Sequence, residues 1–225
     1  MLEREVCMTL DAIFEPAAPV TVLPPERLSH QEIDHRVANS LQLISSLLAV
    51  QARQAGEATL RDALEAAVHR IGAVGALHKQ LCRSDSPRAV DIACYLFDLA
   101  ETIEESFGGR VGHKQISAHV QGRMVSPNFA SVLGMLITEL VINACKHAYE
   151  PDEPGDIEIC LFFPTKSEFR MEVRDYGGKT GDGEVVRTAG LGTSIIDAMC
   201  RKLNATYSYL ADDEGTRFLT IGIVV

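Results

Sequence analysis

Apolar residues recur at steps of three and four along two neighbouring stretches of the chain. In the first, Ile33, Val37, Leu41, Ile44 and Leu48 fall on one arc of a helix, and Ser29 with Glu32 forms a capping box before it; Pro25 could open the helix a turn earlier. After a break at "QAGE", a second helix is expected from about Glu57 to Leu81. There Leu60, Leu64, Ala67, Ile71, Val74, His78 and Leu81 alternate steps of four and three, the spacing of a bundle seam. A two-helix hairpin with this much apolar face cannot bury it alone. A four-helix bundle built from two chains is the economical solution, with packing on the rest of the same chain as the other route. A homodimer is therefore expected.

Residues 1–25 end in Pro24-Pro25 without a sustained period and are read as an extended lead-in, so the hairpin occupies 26–84. "RSDSPR" is a linker, and beyond it the pattern changes. Helices are predicted over 91–107, 127–147 and 193–203, and strands over 115–120, 156–163, 168–175, 205–210 and 216–225. Strands grouped in the second half, with helices able to cover one face, give an α+β chain whose residues 90–225 form an α/β sandwich.

Composition narrows the partners. The 225 residues are 46% hydrophobic and 23% charged, and the net charge is −10. That balance suits a globular chain and speaks against nucleic acid or an anionic membrane surface as a generic partner. No unbroken apolar run has the length of a membrane span, and the acidic N-terminal stretch lacks the pattern of a signal peptide. Six scattered cysteines without a C-x-x-C pair read as reduced, mostly buried small hydrophobes of a cytoplasmic protein.

Three stretches carry candidate chemistry. In "ELVINACKHAYE", Leu133, Leu136, Ile137, Leu140 and Ala144 make the buried side of the helix, while Glu139, Asn143 and His147 share another face beside Lys146. An amide oxygen there suits Mg2+, and Lys146 and His147 suit phosphate oxygens; an ordinary polar helix face explains the same residues. "FRMEVRDYGG" alternates like a strand and delivers Asp175 into a Gly-Gly turn. This suits either a hydrogen bond to an exocyclic amine such as adenine N6 or a plain D-x-G turn. "AGLGTSIIDAMCRKL" sets Gly190 and Gly192 just before an apolar-periodic helix, where free N–H groups attract phosphate. Each signal is weak alone; the three in this order reinforce one another.

With these motifs in place, the chain resembles the sensor histidine kinases, in the HisKA-2-like subgroup whose acceptor helix reads H-R-V-x-N-x-L-Q-x-I-S-S-L-L. Here that run is His35-Arg36-Val37-Ala38-Asn39-Ser40-Leu41-Gln42-Leu43-Ile44-Ser45-Ser46-Leu47-Leu48. "RIGAVGALHKQLCRS" is similar to the family's second bundle helix, "ELVINACKHAY" to its N box, "VRDYGG" to the start of its D box and "GLGTSII" to its G2 box. "GTRFLTIGI" resembles the last strand. The lack of any Trp excludes a sister subgroup marked by W-x-E.

The resemblance implies a dimerisation and histidine-phosphotransfer hairpin followed by a GHKL-type (Bergerat) ATP-binding domain. His35, opposite the apolar stripe, would accept the γ-phosphoryl group of ATP and pass it to the aspartate of a response-regulator receiver domain. Asn143 would hold Mg2+, with Glu139 assisting at the metal or its waters. Lys146 and His147 would contact phosphates, Asp175 and Gly177 of the D box would read adenine, Gly190 and Gly192 would shape the phosphate loop, and Thr216 would lie near the nucleotide. The lead-in is too short to fold as a sensor, so a separate sensor protein is expected.

The chain departs from the subgroup at three places. Ala38 and Ser40 replace its usual Lys and Asn, Lys179 replaces the last D-box glycine, and the lid "KTGDGEVVRTA" is short. These departures keep two further readings open: a phosphotransfer relay or response-regulator phosphatase with a degenerate ATP-binding domain, and an anti-sigma-type binding module.

Overall fold

The computed structural model of the protein describes residues 30–83, 89–107, 114–149, 154–177 and 191–224. Two antiparallel helices open it, α1 (His30–Gln54) and α2 (Ala58–Arg83). The turn between them is closed by Arg61, whose guanidinium donates to the carbonyl of Ala55 at 3.0 Å. The predicted capping residue Ser29 lies outside the described residues.

After a two-residue strand β1 (Val90–Asp91), α3 (Ile92–Phe107) starts under a side-chain cap, the Asp91 carboxylate accepting from the amides of Ala93 and Cys94. Then follow β2 (Lys114–Val120), β3 (Met124–Val125), α4 (Pro127–His147), β4 (Gly155–Phe162), β5 (Glu168–Asp175), α5 (Leu191–Lys202), β6 (Thr206–Asp212) and β7 (Gly215–Ile223). Strands β1 and β3 form a small antiparallel pair. The main sheet has the order β2-β4-β5-β7-β6, with β2 and β4 parallel and the other neighbours antiparallel. The chain is thus α+β, a helical hairpin followed by an α/β sandwich.

The central helix α4 begins at Ser126, whose hydroxyl accepts from the Phe129 amide at 3.2 Å, with Pro127 at the first turn where its missing N–H costs nothing. By length and mean hydropathy α4 could cross a membrane, contrary to the expectation that no segment reaches that range; 72% of its apolar window is buried within the protein. It lies among α2, α3, α5 and the sheet, so it is apolar nearly all round.

On the sheet side, Ile157, Ile159 and Leu161 of β4 and Phe169, Met171 and Val173 of β5 alternate inward, and Phe129 meets Phe169 edge-to-face at 5.2 Å. One apolar cluster runs from Ala73, Ala76 and Leu77 of α2 through Tyr95, Leu96 and Leu99 to Phe218. The hairpin therefore shares its core with the second half through α2.

The predicted seam of α2 is only partly covered. Leu64, Ala67, Ile71, His78 and Leu81 are half-buried, Leu81 against the main apolar cluster, while Leu60 and Val74 are exposed. Of the described cysteines only Cys200 is buried; Cys145 and Cys160 are half-buried, and Cys82 and Cys94 are exposed. "Mostly buried" was thus too strong. None of the described cysteines is joined in a disulfide.

Candidate functional site

Asp175 continues the inward phase of β5, after Phe169, Met171 and Val173, so its carboxylate faces the helices and is 8% exposed. Its Oδ1 accepts from the amides of Gly177 and Thr216, each at 3.2 Å. Burial pushes the carboxyl above its ordinary range, and the two amide hydrogen bonds oppose the shift. No donor among the described residues is recorded on Oδ2, which leaves an acceptor for an incoming N–H.

Two glycines permit this arrangement. Gly215 has φ +133°, and a Cβ on it would lie 2.0 Å from the Asp175 carbonyl oxygen. A Cβ on Gly177 would lie 2.0 Å from the carbonyl oxygen of Ala148, so the D-box turn presses directly on the C-terminal end of α4. Tyr149 ties the same corner together. Its hydroxyl donates to the Asp156 carbonyl at 2.6 Å and accepts from the Tyr176 amide at 2.9 Å. Burial raises this phenol to about 12, keeping it a neutral donor. Sequence reasoning missed Tyr149, although it stands directly after the N-box histidine and alanine.

Along α4, Glu139 and Asn143 face the start of α5. A Cβ on Gly192 would meet Glu139 Oε2 at 3.4 Å and Asn143 Oδ1 at 3.5 Å. The missing side chain leaves a small cradle between an amide oxygen, a carboxylate and a helix N-terminus. That is a donor set of hard oxygens, which suits Mg2+ carried in with phosphates, and Asn143 would be the residue to hold it. Among the described residues no group of three His, Cys, Asp or Glu forms an all-protein metal site.

Glu139 is only 2% exposed because it is paired. Arg70 of α2 donates Nε to Oε1 at 2.6 Å and Nη2 to Oε2 at 3.0 Å, a planar fork matched to the carboxylate. Lys146 also turns toward the hairpin, its Nζ donating to the Asp62 carbonyl at 3.4 Å. His147 is exposed. Beside these, burial with the positive charge of Lys146 and Arg70 lowers His69 to about 4. Neither Arg70 nor His69 was singled out from the sequence.

Six of the sequence-predicted residues thus fall in two groups joined by α4, Glu139, Asn143 and Gly192 in one and Asp175, Gly177 and Thr216 in the other, while Lys146 and His147 join neither. Gly190 and Lys179 lie outside the described residues. His35 lies on α1, and its side chain is outside them as well.

The structure thus sets a helical hairpin beside an α/β sandwich that carries these two groups of residues. A histidine kinase family model (HisKA_2) matches residues 32–107. The chain is 25% identical over 190 residues to blue-light-activated histidine kinase 2 of Erythrobacter litoralis, covering 82% of this chain and 54% of that one. It is 33% identical over 127 residues to the sensor histidine kinase PdtaS of Mycobacterium tuberculosis, covering 54% and 24%. The chain thus spans about half or less of the length of these curated relatives.

The solved histidine kinase domain of the Erythrobacter litoralis EL346 blue-light-activated histidine kinase shares the fold, with TM-score 0.62 at 22% identity over 86% of this chain and 90% of that one. Residues 32–107 thus match the histidine kinase family model, and the chain is similar to sensor histidine kinases and shares the fold of a solved histidine kinase domain.

Proposed function

We propose that this chain is an ATP-dependent protein-histidine kinase of a two-component system, in which His35 accepts the γ-phosphoryl group from Mg-ATP and hands it to a response-regulator aspartate. The observation that carries this reading is the pair of groups along α4: a buried carboxylate with one oxygen left over, and a side-chain-free cradle beside Asn143 and Glu139.

Asp175 Oδ2 accepts the adenine amine, while the Gly177 and Thr216 amides hold the carboxylate in register. The N-terminus of α5 at Gly192 receives the phosphates. Asn143 would hold Mg2+, which would offset the negative charge of the triphosphate. A neutral imidazole nitrogen of His35 attacks the γ-phosphorus as the bond to the β–γ bridging oxygen breaks; ADP leaves and the ring proton passes to solvent. An ordinary imidazole, with pKa about 6.5, is mostly neutral at cytoplasmic pH.

The kinase is a cytoplasmic homodimer. Val37, Leu43, Ile44, Leu47 and Val50 of α1 and Leu60 and Val74 of α2 remain exposed in a single chain, and a second hairpin covers them in a four-helix bundle.

Incubation with labelled ATP and Mg2+ should give acid-labile label on the wild-type chain and none on His35→Ala, followed by loss of label to a receiver domain. Acid-stable label, or label surviving in His35→Ala, would defeat the proposal. Calorimetric Mg-ATP binding that disappears in Asn143→Ala separates a kinase from a relay without nucleotide.

A further inference from the structure

The face of α2 that turns away from α1 was silent in the sequence, yet it is where the two halves of the protein meet. Ala66, Ala73, Ala76 and Leu77 are buried there, and the Tyr95 hydroxyl donates to the Ala73 carbonyl at 3.4 Å. Gln80 donates to Asp98 of α3 at 3.0 Å, and Lys146 to the Asp62 carbonyl. Three alanines and one leucine make a shallow surface with few interlocking side chains, so it resists sliding weakly. The charge-assisted hold is Arg70 on Glu139, a two-point contact in which the carboxylate side chain is 2% exposed and the arginine side chain 20%.

Its position has two consequences. First, Glu139 Oε2 is one of the atoms lining the cradle left by Gly192, so Arg70 and an incoming cation with its phosphates compete for one carboxylate. Second, the contact fixes the level of that cradle along the hairpin. Counted back from the turn between Gln54 and Ala58, Arg70 is level with Gln42, whereas His35 is level with Leu77. Seven residues at 1.5 Å each put the acceptor about 10 Å further along, and on the other helix.

We propose that Arg70 is a latch: it withholds Glu139 from the phosphate site and parks the nucleotide-binding half short of His35, so that phosphoryl transfer waits for the Arg70–Glu139 pair to open. The role assigned to transfer rests on the kinase reading above; the clamp itself does not. Opening the pair in an empty site strands a buried carboxylate, which is costly. Opening it when a magnesium-bound nucleotide arrives gives Glu139 a new positive partner. The latch is thus released by the substrate it guards.

Hydrogen exchange on the full chain tests this without reference to activity. In the nucleotide-free wild type, amides of α2 over 66–80 should be protected. Arg70→Ala, Arg70→Glu and Glu139→Arg should each speed their exchange about five-fold or more, a coupling of ordinary allosteric size, with the β5 and β7 amides unchanged. The Arg70→Glu/Glu139→Arg double variant should restore protection, which also separates loss of the pair from general misfolding. Mg2+ with a non-hydrolysable ATP analogue should loosen the same amides in the wild type, and Mg2+ alone should not.

Arg70→Ala should in addition autophosphorylate faster than wild type. Unchanged exchange in Arg70→Ala, or failure of the double variant to recover protection, would overturn the latch. Slower labelling of a loosened Arg70→Ala would overturn it too, by making Arg70 a positioning residue. Absence of label from the wild type under every condition would defeat the kinase reading alone, because the exchange comparison decides the clamp independently.

Discussion

The α-carbon of Gly215 lies so close to Asp175 that a Cβ would come within 2.0 Å of its carbonyl oxygen, and Gly215 holds φ at +133° to make the approach. The first residue of β7 thereby lets the Thr216 amide reach the Asp175 carboxylate. Gly215→Ala adds both a backbone conformation that L residues resist and a collision with main chain that cannot rotate away. The expected cost is roughly 2–5 kcal/mol of stability, with nucleotide binding lost in whatever remains folded. Thermal melting and calorimetry on the same preparation would check it. A variant that melts like wild type would contradict this account of the turn.

Asp175→Asn probes the same corner without disturbing the backbone. An amide oxygen can still accept from Gly177 and Thr216, so the fold should survive with a melting temperature near that of wild type. The second acceptor oxygen becomes an NH2 group that faces the adenine amine donor to donor. A lost hydrogen bond with an unsatisfied partner is worth about 1–3 kcal/mol, so ATP should bind roughly 5- to 150-fold more weakly. Retained affinity in a well-folded variant would remove Asp175 from adenine recognition.

These two predictions rest on parts of the molecule that were legible in different degrees. The alternation through Phe169, Met171 and Val173 placed Asp175 at a strand end, and the structure extends that alternation to show the carboxylate turned inward. The apolar periodicity of α4 was equally plain, whereas Gly192, expected just before the next helix, is the second residue of α5.

What stayed hidden was pairing across distance. Arg70 and Glu139 are 69 residues apart, and nothing local to "HRIG" announces a partner. The second face of α2 was hidden for another reason: alanines at 66, 73 and 76 give little hydropathy contrast beside the leucine-rich seam, which captured the whole periodic signal. Tyr149 and Gly155 form a contact that depends on ring placement, since a Cβ at Gly155 would meet the ring at 2.3 Å. No spacing rule encodes that.

His69 gives the docked arrangement an acid sensitivity. Burial, then Lys146 and Arg70, hold its imidazole down at about 4. The unfolded ring titrates near 6.5, so the unfolded state binds the proton more tightly. The contribution of neutral His69 is fully present above about pH 6.5 and is lost as pH falls toward 4. Between pH 7 and 5 the loss should approach ~2 kcal/mol, and less to the extent that water reaches the ring. Urea midpoints at pH 7 and pH 5 should therefore fall further apart in wild type than in His69→Gln. Equal pH dependence in the two proteins would show that His69 is not the responsible group.

The exposed apolar arc of α1 sets the last prediction. Leu43 and Leu47 are 61% and 56% exposed and lie one turn apart, with Ile44 and Val50 extending the strip. A continuous leucine-rich strip on water is costly at about 25 cal/mol per Å2, and a second hairpin is the partner whose matching face is guaranteed by symmetry. Leu47→Glu places a charge in the middle of that strip. It should shift the protein from dimer to monomer in sedimentation equilibrium while leaving its circular dichroism unchanged, because the side chain points away from α2 in the single chain. Ser46→Glu, on a neighbouring exposed position, adds the same charge at another angle of the helix and serves as the comparison. A wild-type chain that sediments as a monomer at micromolar concentration would refute the bundle, and the apolar strip would then need a different partner.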